Sequence, residues 1–391
     1  MTKLEFFLLN LYHILIDGLY DSIPILLTFI VLYFGGGGKE IGYIVSCGAL
    51  VATVCGLYTL FFSQRLNFRQ ILGGTALLYG IGFLANSFSP SIIYSGLFFV
   101  LAVAGHSVFH NVSFSHITYK TDRKLLGRAL SDFTAYGDIG RVPLTALSAY
   151  IAGISISGIV GWRLVSFTYG TVIFFVGAIL LLYKNSRKPP KLSNDRPYEK
   201  RLLPSGAAIK NKNVRLAILG SIINAFSSEQ IFVFLPLLLL LKGFDHTILG
   251  SLAFGFTLGC FIGKTICGRL LDRFGTRKVF SVSQIILSFL LILLTYFDSL
   301  YLILFIALLL GIVSKGTVPV VQSMITEPLS TSEYYADIFT INGFARGVVN
   351  VLAPTFFGLI GSIVNLNFSY MIMALGALIA IIPILLIKPK S

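Results

Sequence analysis

Long apolar segments alternate with short polar segments along the whole chain of 391 residues. Most apolar segments contain about twenty residues, the length that an α-helix needs to cross the hydrocarbon core of a bilayer. The pattern therefore predicts an all-α integral membrane protein with twelve transmembrane helices. The twelve predicted spans are 6–33, 40–62, 71–88, 93–117, 131–155, 159–184, 214–241, 247–267, 279–296, 300–324, 336–360 and 366–387.

Basic residues collect in every second loop between these spans. Short cytoplasmic loops accumulate Lys and Arg, so these loops are predicted to lie in the cytoplasm. They contain Arg65, Arg69, Lys120, Arg123, Lys124, Arg128, Arg273, Arg277, Lys278 and the basic residues of the central stretch 185–213. The opposite loops hold only Lys39, Lys242 and Arg163. We therefore expect a multi-pass protein of the cytoplasmic membrane with both termini in the cytoplasm.

Composition agrees with the span pattern. Hydrophobic residues make up 55% of the chain and charged residues 12%, whereas soluble domains carry about 25% charged residues. The formal net charge of +14 could indicate a nucleic-acid partner. The basic residues lie in membrane loops instead, so the predicted surroundings are a lipid bilayer and no nucleic acid. The four cysteines form no CxxC motif, so no metal or redox motif is indicated.

The chain divides at a polar stretch, 185–213, that contains four prolines. We interpret it as a cytoplasmic linker between an N-terminal six-helix bundle, 1–184, and a C-terminal six-helix bundle, 214–391. The two bundles are predicted to be repeats of each other. A shift of 208 residues places Gly42 on Gly250, and a shift of 212 places Asp17 on Glu229.

Ionisable residues cluster inside the first and fourth spans. His13, Asp17 and Asp21 follow each other at intervals of four, which places them on one helix face. His106 and His110 have the same spacing in the fourth span. Counting about 1.5 Å per residue puts His13 level with His110, and Asp17 level with His106. We therefore expect the first and fourth spans to contact each other through these side chains.

Three interpretations of this cluster remain open. Its members could form a structural polar network, because buried polar groups satisfy one another. They could instead carry a coupling proton, since a carboxylate beside a histidine titrates near neutral pH. The proton-coupling candidates are Asp17, His13, His106, His110 and, in the second repeat, Glu229. A divalent transition metal is the alternative, with His13, Asp17, His106 and His110 as ligands; apart from that alternative, no metal site is predicted.

Other polar residues within or at the edges of the spans are candidates for substrate binding, because charged groups there are costly and are retained for function. These candidates are Asp21, Asn111, Asp138, Arg141, Lys315, Gln322 and Arg346. Asp138 and Arg141 are three residues apart and can pair on one face. Lys315 could neutralise Glu229 or bind an anionic substrate, and the sequence leaves both roles open.

A charged turn between the eighth and ninth spans has the spacing G-x-x-x-D-R-x-G-x-R-K. Its residues are Gly268, Asp272, Arg273, Gly275, Arg277 and Lys278. At these positions the chain resembles the major facilitator superfamily, whose signature loop has this pattern. The resemblance implies two six-helix bundles in the major facilitator fold, a secondary transporter working by alternating access, and a role for the six residues as a conformational latch.

A second set of residues resembles the fosmidomycin-resistance branch of that superfamily. It comprises His13-x-x-x-Asp17, Pro24, Gly105 with Phe109-His110, and Gln322 with Glu327-Pro328. This resemblance implies a proton-driven exporter of small molecules. With the cations Lys315, Arg346 and Arg141, an anionic or zwitterionic substrate is expected.

Several other functions lack their motifs. The nucleotide loop GxxxxGK[ST] does not occur, so ATP is not the expected energy source, and neither HExxH nor GxSxG indicates a hydrolase. A receptor that resembles a transporter but moves no substrate is a further functional class. We expect a monomeric antiporter or exporter of a small molecule, coupled to protons and without a cofactor. An uptake symporter and a divalent-metal transporter are the alternatives.

Overall fold

The fold is almost entirely helical in this computed structural model, which describes residues 3–65, 68–120, 123–182, 208–329 and 335–387. The helices of the first half are α1 (Lys3–Tyr33), α2 (Gly38–Arg65), α3 (Phe68–Ser87), α4 (Ile92–Lys120), α5 (Arg123–Ala152) and α6 (Gly161–Leu182). The second half contains α7 (Lys212–Ser228), α8 (Ile231–Leu241), α9 (Ile248–Phe274), α10 (Thr276–Tyr296), α11 (Leu300–Ser314), α12 (Val318–Thr326), α13 (Tyr335–Ile363), α14 (Leu366–Ile379) and α15 (Ile381–Leu385). A 3-10 turn, Ala208–Lys210, precedes α7. The predicted all-α class is confirmed.

Ten helical segments within the described ranges are long and apolar enough to cross a membrane. A helix suits a membrane because it satisfies its own backbone hydrogen bonds where no water is present. The predicted spans 71–88 and 131–155 are also helical, as α3 and α5, but are not among the ten.

A short hairpin connects α5 and α6 where the sequence predicted only a loop. Strands β1 (Ser155–Ile156) and β2 (Ile159–Val160) pair antiparallel. Ser157 and Gly158 have φ of 52° and 79°, so both central residues of the turn are left-handed, as tight hairpin turns require. The fifth span therefore ends at Ala152, earlier than predicted.

Three predicted spans are each formed by two helices. The seventh consists of α7 and α8, which meet at Glu229 and Gln230; the tenth consists of α11 and α12, separated by Lys315–Thr317. The twelfth is divided between α14 and α15 at Ala380. Discontinuous helices at membrane depth are tolerated where other groups satisfy the freed backbone, and in transporters they line binding sites. Two predicted intramembrane charges, Glu229 and Lys315, thus lie at helix breaks.

The chain forms two compact units. One contains α1 to α6 and the segment Asp245–Ala253, which includes the start of α9. The other contains α7, α8, the rest of α9 from Phe254, and α10 to α15. Most of the predicted linker, 185–207, lies outside the described residues, so the domain limits at 184 and 214 stay a prediction.

Candidate functional site

The carboxylate of Asp17 is the centre of a polar cluster in the first unit. Its side chain on α1 is 3% exposed. Asp17 Oδ2 lies 3.1 Å from His13 Nε2, and Asp17 Oδ1 lies 3.0 Å from His110 Nε2 and 3.6 Å from His106 Nε2. The expected meeting of the first and fourth spans is therefore present, and Asp17 contacts both histidines of α4.

The hydrogen bond of His13 to the backbone of α5 fixes where one of its protons lies. His13 Nδ1 is 2.9 Å from the carbonyl oxygen of Phe133. A carbonyl oxygen only accepts hydrogen bonds, so Nδ1 carries a hydrogen and donates it. A neutral His13 would then turn the lone pair of Nε2 toward Asp17 Oδ2. The contact between His13 and Asp17 is favourable only when an additional proton lies on one of the two groups.

Arg141 on α5 contacts three carboxylates. Its Nη2 donates to Asp17 Oδ2 at 2.8 Å, its Nη1 donates to Asp138 Oδ1 at 2.8 Å, and its Nε lies 3.3 Å from Asp21 Oδ2. The sequence predicted the pair with Asp138 only. Three carboxylates and one guanidinium would leave two negative charges inside the membrane, and uncompensated charge there is costly. Protons on the neighbouring imidazoles or carboxylates can remove this excess.

Burial divides the cluster into an inner and an outer part. His13 and Asp17 are almost fully buried, whereas His110, Arg141 and Asp21 are each about one-third exposed. Tyr20 is also partly exposed and stacks on His106, with 3.9 Å between ring centroids. Sequence analysis missed Tyr20, although its position three residues after Asp17 places it near the same face.

Gly137 on α5 is a second residue that sequence analysis did not include in the site. A Cβ atom at this position would lie 2.6 Å from His13 Nε2 and 2.8 Å from Asp17 Oδ2. Only glycine therefore allows α5 to approach the buried His13–Asp17 pair so closely.

Three residues carry ligand atoms of the kind that transition metals bind. Nitrogen or oxygen atoms of His13, Asp17 and His110 lie within 4.8 Å of one another. The guanidinium of Arg141 already places a positive charge 2.8 Å from Asp17 Oδ2. A divalent cation would be repelled there, so the donor set fits a proton better than a metal.

In the second unit, Glu229 forms an ion pair with Arg346 on α13. Asn350, one turn further along α13, hydrogen-bonds to Glu229 and accepts a hydrogen bond from Gln230 Nε2 at 3.3 Å. The sequence suggested Lys315 as the counter-ion of Glu229. The structure assigns the direct contact to Arg346, whereas the positive charge of Lys315 is near enough to favour the ionised Glu229 without an ion pair between them.

One of the predicted substrate residues, Gln322, is not part of either cluster. It is exposed on α12, and within the described ranges its side chain makes no hydrogen bond or ion pair. The side chain of Asn111 lies outside the described residues. Lys264 in α9 is an additional half-buried charge within a span that sequence analysis passed over.

The predicted latch forms a one-residue turn between α9 and α10. Gly275 has φ of 79°, a conformation that favours glycine, and the four charged latch residues around it are exposed. Arg277 donates hydrogen bonds to the carbonyl oxygen of Leu385, at the end of α15, and to that of Ile387, just beyond it. Among the described residues, no hydrogen bond or ion pair holds the side chain of Asp272.

Comparison with known proteins agrees with this architecture. Solved structures similar to the chain include a bacterial homolog to the human lysosomal transporter Spinster, with 17% identity over 98% of this chain and 96% of that chain and a TM-score of 0.79. The nucleoside transporter NupG has 12% identity, coverage of 98% and 99%, and a TM-score of 0.80. The xylose transporter XylE from E. coli has 13% identity, coverage of 99% and 97%, and a TM-score of 0.74. At these identities the likeness shows the fold.

The family assignment rests on sequence. No curated protein sequence matches the chain. The family model described as Major Facilitator Superfamily matches residues 9–251 and, in a second match, residues 217–391. These matches cover nearly the whole sequence, and the family consists of secondary transporters rather than enzymes. The chain belongs to the Major Facilitator Superfamily.

Proposed function

We propose that this protein is a proton-coupled transporter that moves a small organic molecule across the cytoplasmic membrane by alternating access. Asp17 carries the coupling proton, and His13, His106 and His110 share it. The observation that carries the proposal is the contact between His13 and Asp17. With Nδ1 of His13 donating to the Phe133 carbonyl, Nε2 faces Asp17 Oδ2 at 3.1 Å, and an additional proton between them would make this contact favourable.

The direction and the cargo belong to the same proposal. Resemblance to the fosmidomycin-resistance branch supports export by proton antiport, with both termini in the cytoplasm. The cations Arg141, Lys315 and Arg346 support an anionic or zwitterionic cargo. Glu229 corresponds to Asp17 in the second repeat, and its ion pair with Arg346 parallels that of Asp17 with Arg141.

A divalent-metal transporter is the second candidate, supported by the close approach of His13, Asp17 and His110. Calorimetry of the purified wild type with Zn²⁺ and Mn²⁺ separates the two. Proton coupling predicts no binding at micromolar affinity, because Arg141 already neutralises Asp17. Metal transport predicts micromolar binding that Asp17→Asn and His110→Gln both abolish.

The proposal is tested by Asp17→Asn in proteoliposomes, with a cargo identified by thermal-shift screening of the purified protein. We expect the variant to lose transport driven by a pH gradient and to keep exchange of cargo for cargo, because exchange moves no net proton. Asp298→Asn is the matched control, since Asp298 is an exposed carboxylate paired with Lys242 outside the spans. Gradient-driven transport that survives in Asp17→Asn would refute the assignment.

A further inference from the structure

Glu229 and the two cations that act on it, Arg346 and Lys315, together carry one net positive charge. Arg346 pairs directly with Glu229, and Lys315 acts on it electrostatically from the break between α11 and α12. Asn350 is a neutral group that hydrogen-bonds to Glu229. On α14, the hydroxyl of Tyr370 is occupied by the carbonyl oxygen of Ile231 and adds no charge.

Lys315 is the charge in this set that lacks a partner. It is half-buried and lies within the predicted tenth span. Within the described ranges, no hydrogen bond or ion pair is made by its ammonium group. Lysine is strongly hydrated, so a half-buried ammonium without a protein acceptor keeps its contact with water and is accessible to an anion. Two other half-buried lysines described in this unit, Lys242 and Lys264, both take part in interactions of their own.

Arg346 has donors left for such a ligand. Its described contact is the one from Nη2 to Glu229, and its side chain is 21% exposed. A guanidinium has five N–H donors in a planar fork and can bind two carboxylates at once. Glu229 therefore occupies one side of Arg346 without exhausting it.

We propose that Lys315 and Arg346 bind the carboxylate of a cargo with one negative charge. Glu229 limits the cargo to a single charge because it already neutralises one of the two cations. The proposal deepens the transport function proposed above, because it names the charge of the cargo. One carboxylate from the cargo and one from Glu229 balance the two cations. A neutral cargo would leave the excess of one positive charge, and a dianion would create a negative excess.

The test measures equilibrium binding by calorimetry on purified protein, with three probes that share one ring: benzamide, benzoate and isophthalate. They carry no charge, one negative charge and two negative charges at neutral pH. The wild type should bind benzoate more tightly than benzamide or isophthalate. Glu229→Gln should shift the preference between isophthalate and benzoate by about tenfold or more toward isophthalate, the factor that a single close charge pair supplies.

Lys315→Met gives an independent result, and it keeps the Glu229–Arg346 pair intact in case Glu229→Gln does not fold. This variant should bind benzoate no more tightly than benzamide. A wild type without preference for benzoate over benzamide overturns the proposal, as does a Lys315→Met variant that retains the preference. Asp298→Asn is the control that should keep the wild-type order, because Asp298 is exposed and pairs with Lys242 outside the spans. Binding needs no proton gradient, so this test can succeed or fail independently of the proton assignment to Asp17.

Discussion

His110 is the most exposed histidine of the Asp17 cluster, at 27% against 14% for His106 and 2% for the whole of His13. It contacts Asp17 Oδ1 but lies on the outer side of the cluster, where water reaches it. We expect His110→Gln to shift the pH optimum of transport and to retain transport, because His13, His106 and Arg141 still surround Asp17. The measurement is the pH–rate profile in proteoliposomes.

The control for that variant is His246→Gln. His246 is a more exposed histidine in the α8–α9 loop, where its neighbour is Asp245 at 3.7 Å. Its replacement should leave the pH profile unchanged. An unaltered profile in His110→Gln as well would mean that His110 has no part in proton exchange.

Gly137 provides a steric test of the same cluster. In Gly137→Ala the new methyl group would lie 2.6 Å from His13 Nε2, so His13 and Asp17 must separate from α5. We expect a loss of transport by roughly tenfold or more, since small displacements in a site cost rate factors of this size. Gly74→Ala in α3 is the matched control, because no atom lies within 4 Å of its added Cβ. Equal activity of the two variants would contradict the geometry.

Part of this cluster could be predicted from residue spacing alone. Intervals of four place His13, Asp17 and Asp21 on one helix face because the helix repeat is 3.6 residues. The reach of Arg141 across to Asp17 could not be predicted in the same way. That contact depends on how α1 and α5 pack, and no local pattern encodes the packing of helices far apart in sequence.

At the scale of helices, the glycines of α9 differ in how closely another helix approaches them. A Cβ at Gly259 would overlap the carbonyl oxygen of Leu308 on α11, whereas one at Gly255 would make ordinary contacts of 3.7 Å or more. We expect Gly259→Ala to lower the free energy of unfolding by about 1–3 kcal/mol, the usual cost of overpacking. Thermal unfolding in detergent, with Gly255→Ala as control, measures the difference. Equal melting temperatures would refute the close approach.

The breaks within the seventh and tenth spans could not be predicted from hydropathy. Residues 214–241 and 300–324 are mostly apolar, so the sequence predicted one helix for each. Hydropathy records composition and does not record how backbone groups are hydrogen-bonded. The α7–α8 break is stabilised by distant groups: Asn350 accepts from Gln230, and Tyr370 donates to the carbonyl oxygen of Ile231.

At the scale of the whole molecule, the exposed Asp272 bears on the conformational cycle. Because its carboxylate has no contact within the described structure, Asp272→Asn should leave the stability of this state unchanged. If the loop acts as a latch in another state of the cycle, the variant should change the transport rate and keep equilibrium cargo affinity within about threefold. Loss of binding by a folded variant would count against the latch.

Arg277→Gln serves as the contrasting variant in the same loop. Arg277 donates to carbonyl oxygens at the end of α15, so its replacement should lower the melting temperature where Asp272→Asn does not. The comparison separates residues that hold one unit together from residues that regulate movement. An equal loss of stability in both variants would show that Asp272 also has a static role.

The whole-molecule architecture was the most predictable level, since span lengths and loop charges follow directly from the bilayer. The twelve predicted spans all contain helix in the described residues, although three are divided. The repeat relation places Glu229 at the position of Asp17, and each of these two acids forms an ion pair with an arginine. The arginines, Arg141 and Arg346, are not paired by the sequence shift, because a shift of 208 residues places Arg141 three residues beyond Arg346.

The hydrogen bond from His13 to the Phe133 carbonyl makes the site sensitive to mechanical displacement. The imidazole belongs to α1 and its acceptor to the backbone of α5. A slide of α5 by about one ångström would lengthen this bond beyond hydrogen-bonding distance. His13 would then be free to turn Nε2–H toward Asp17 as a neutral ring, and the additional proton would be released. If the pair carries the coupling proton as proposed, helix position and proton affinity would change together, and the pair would convert movement into a change of chemical potential.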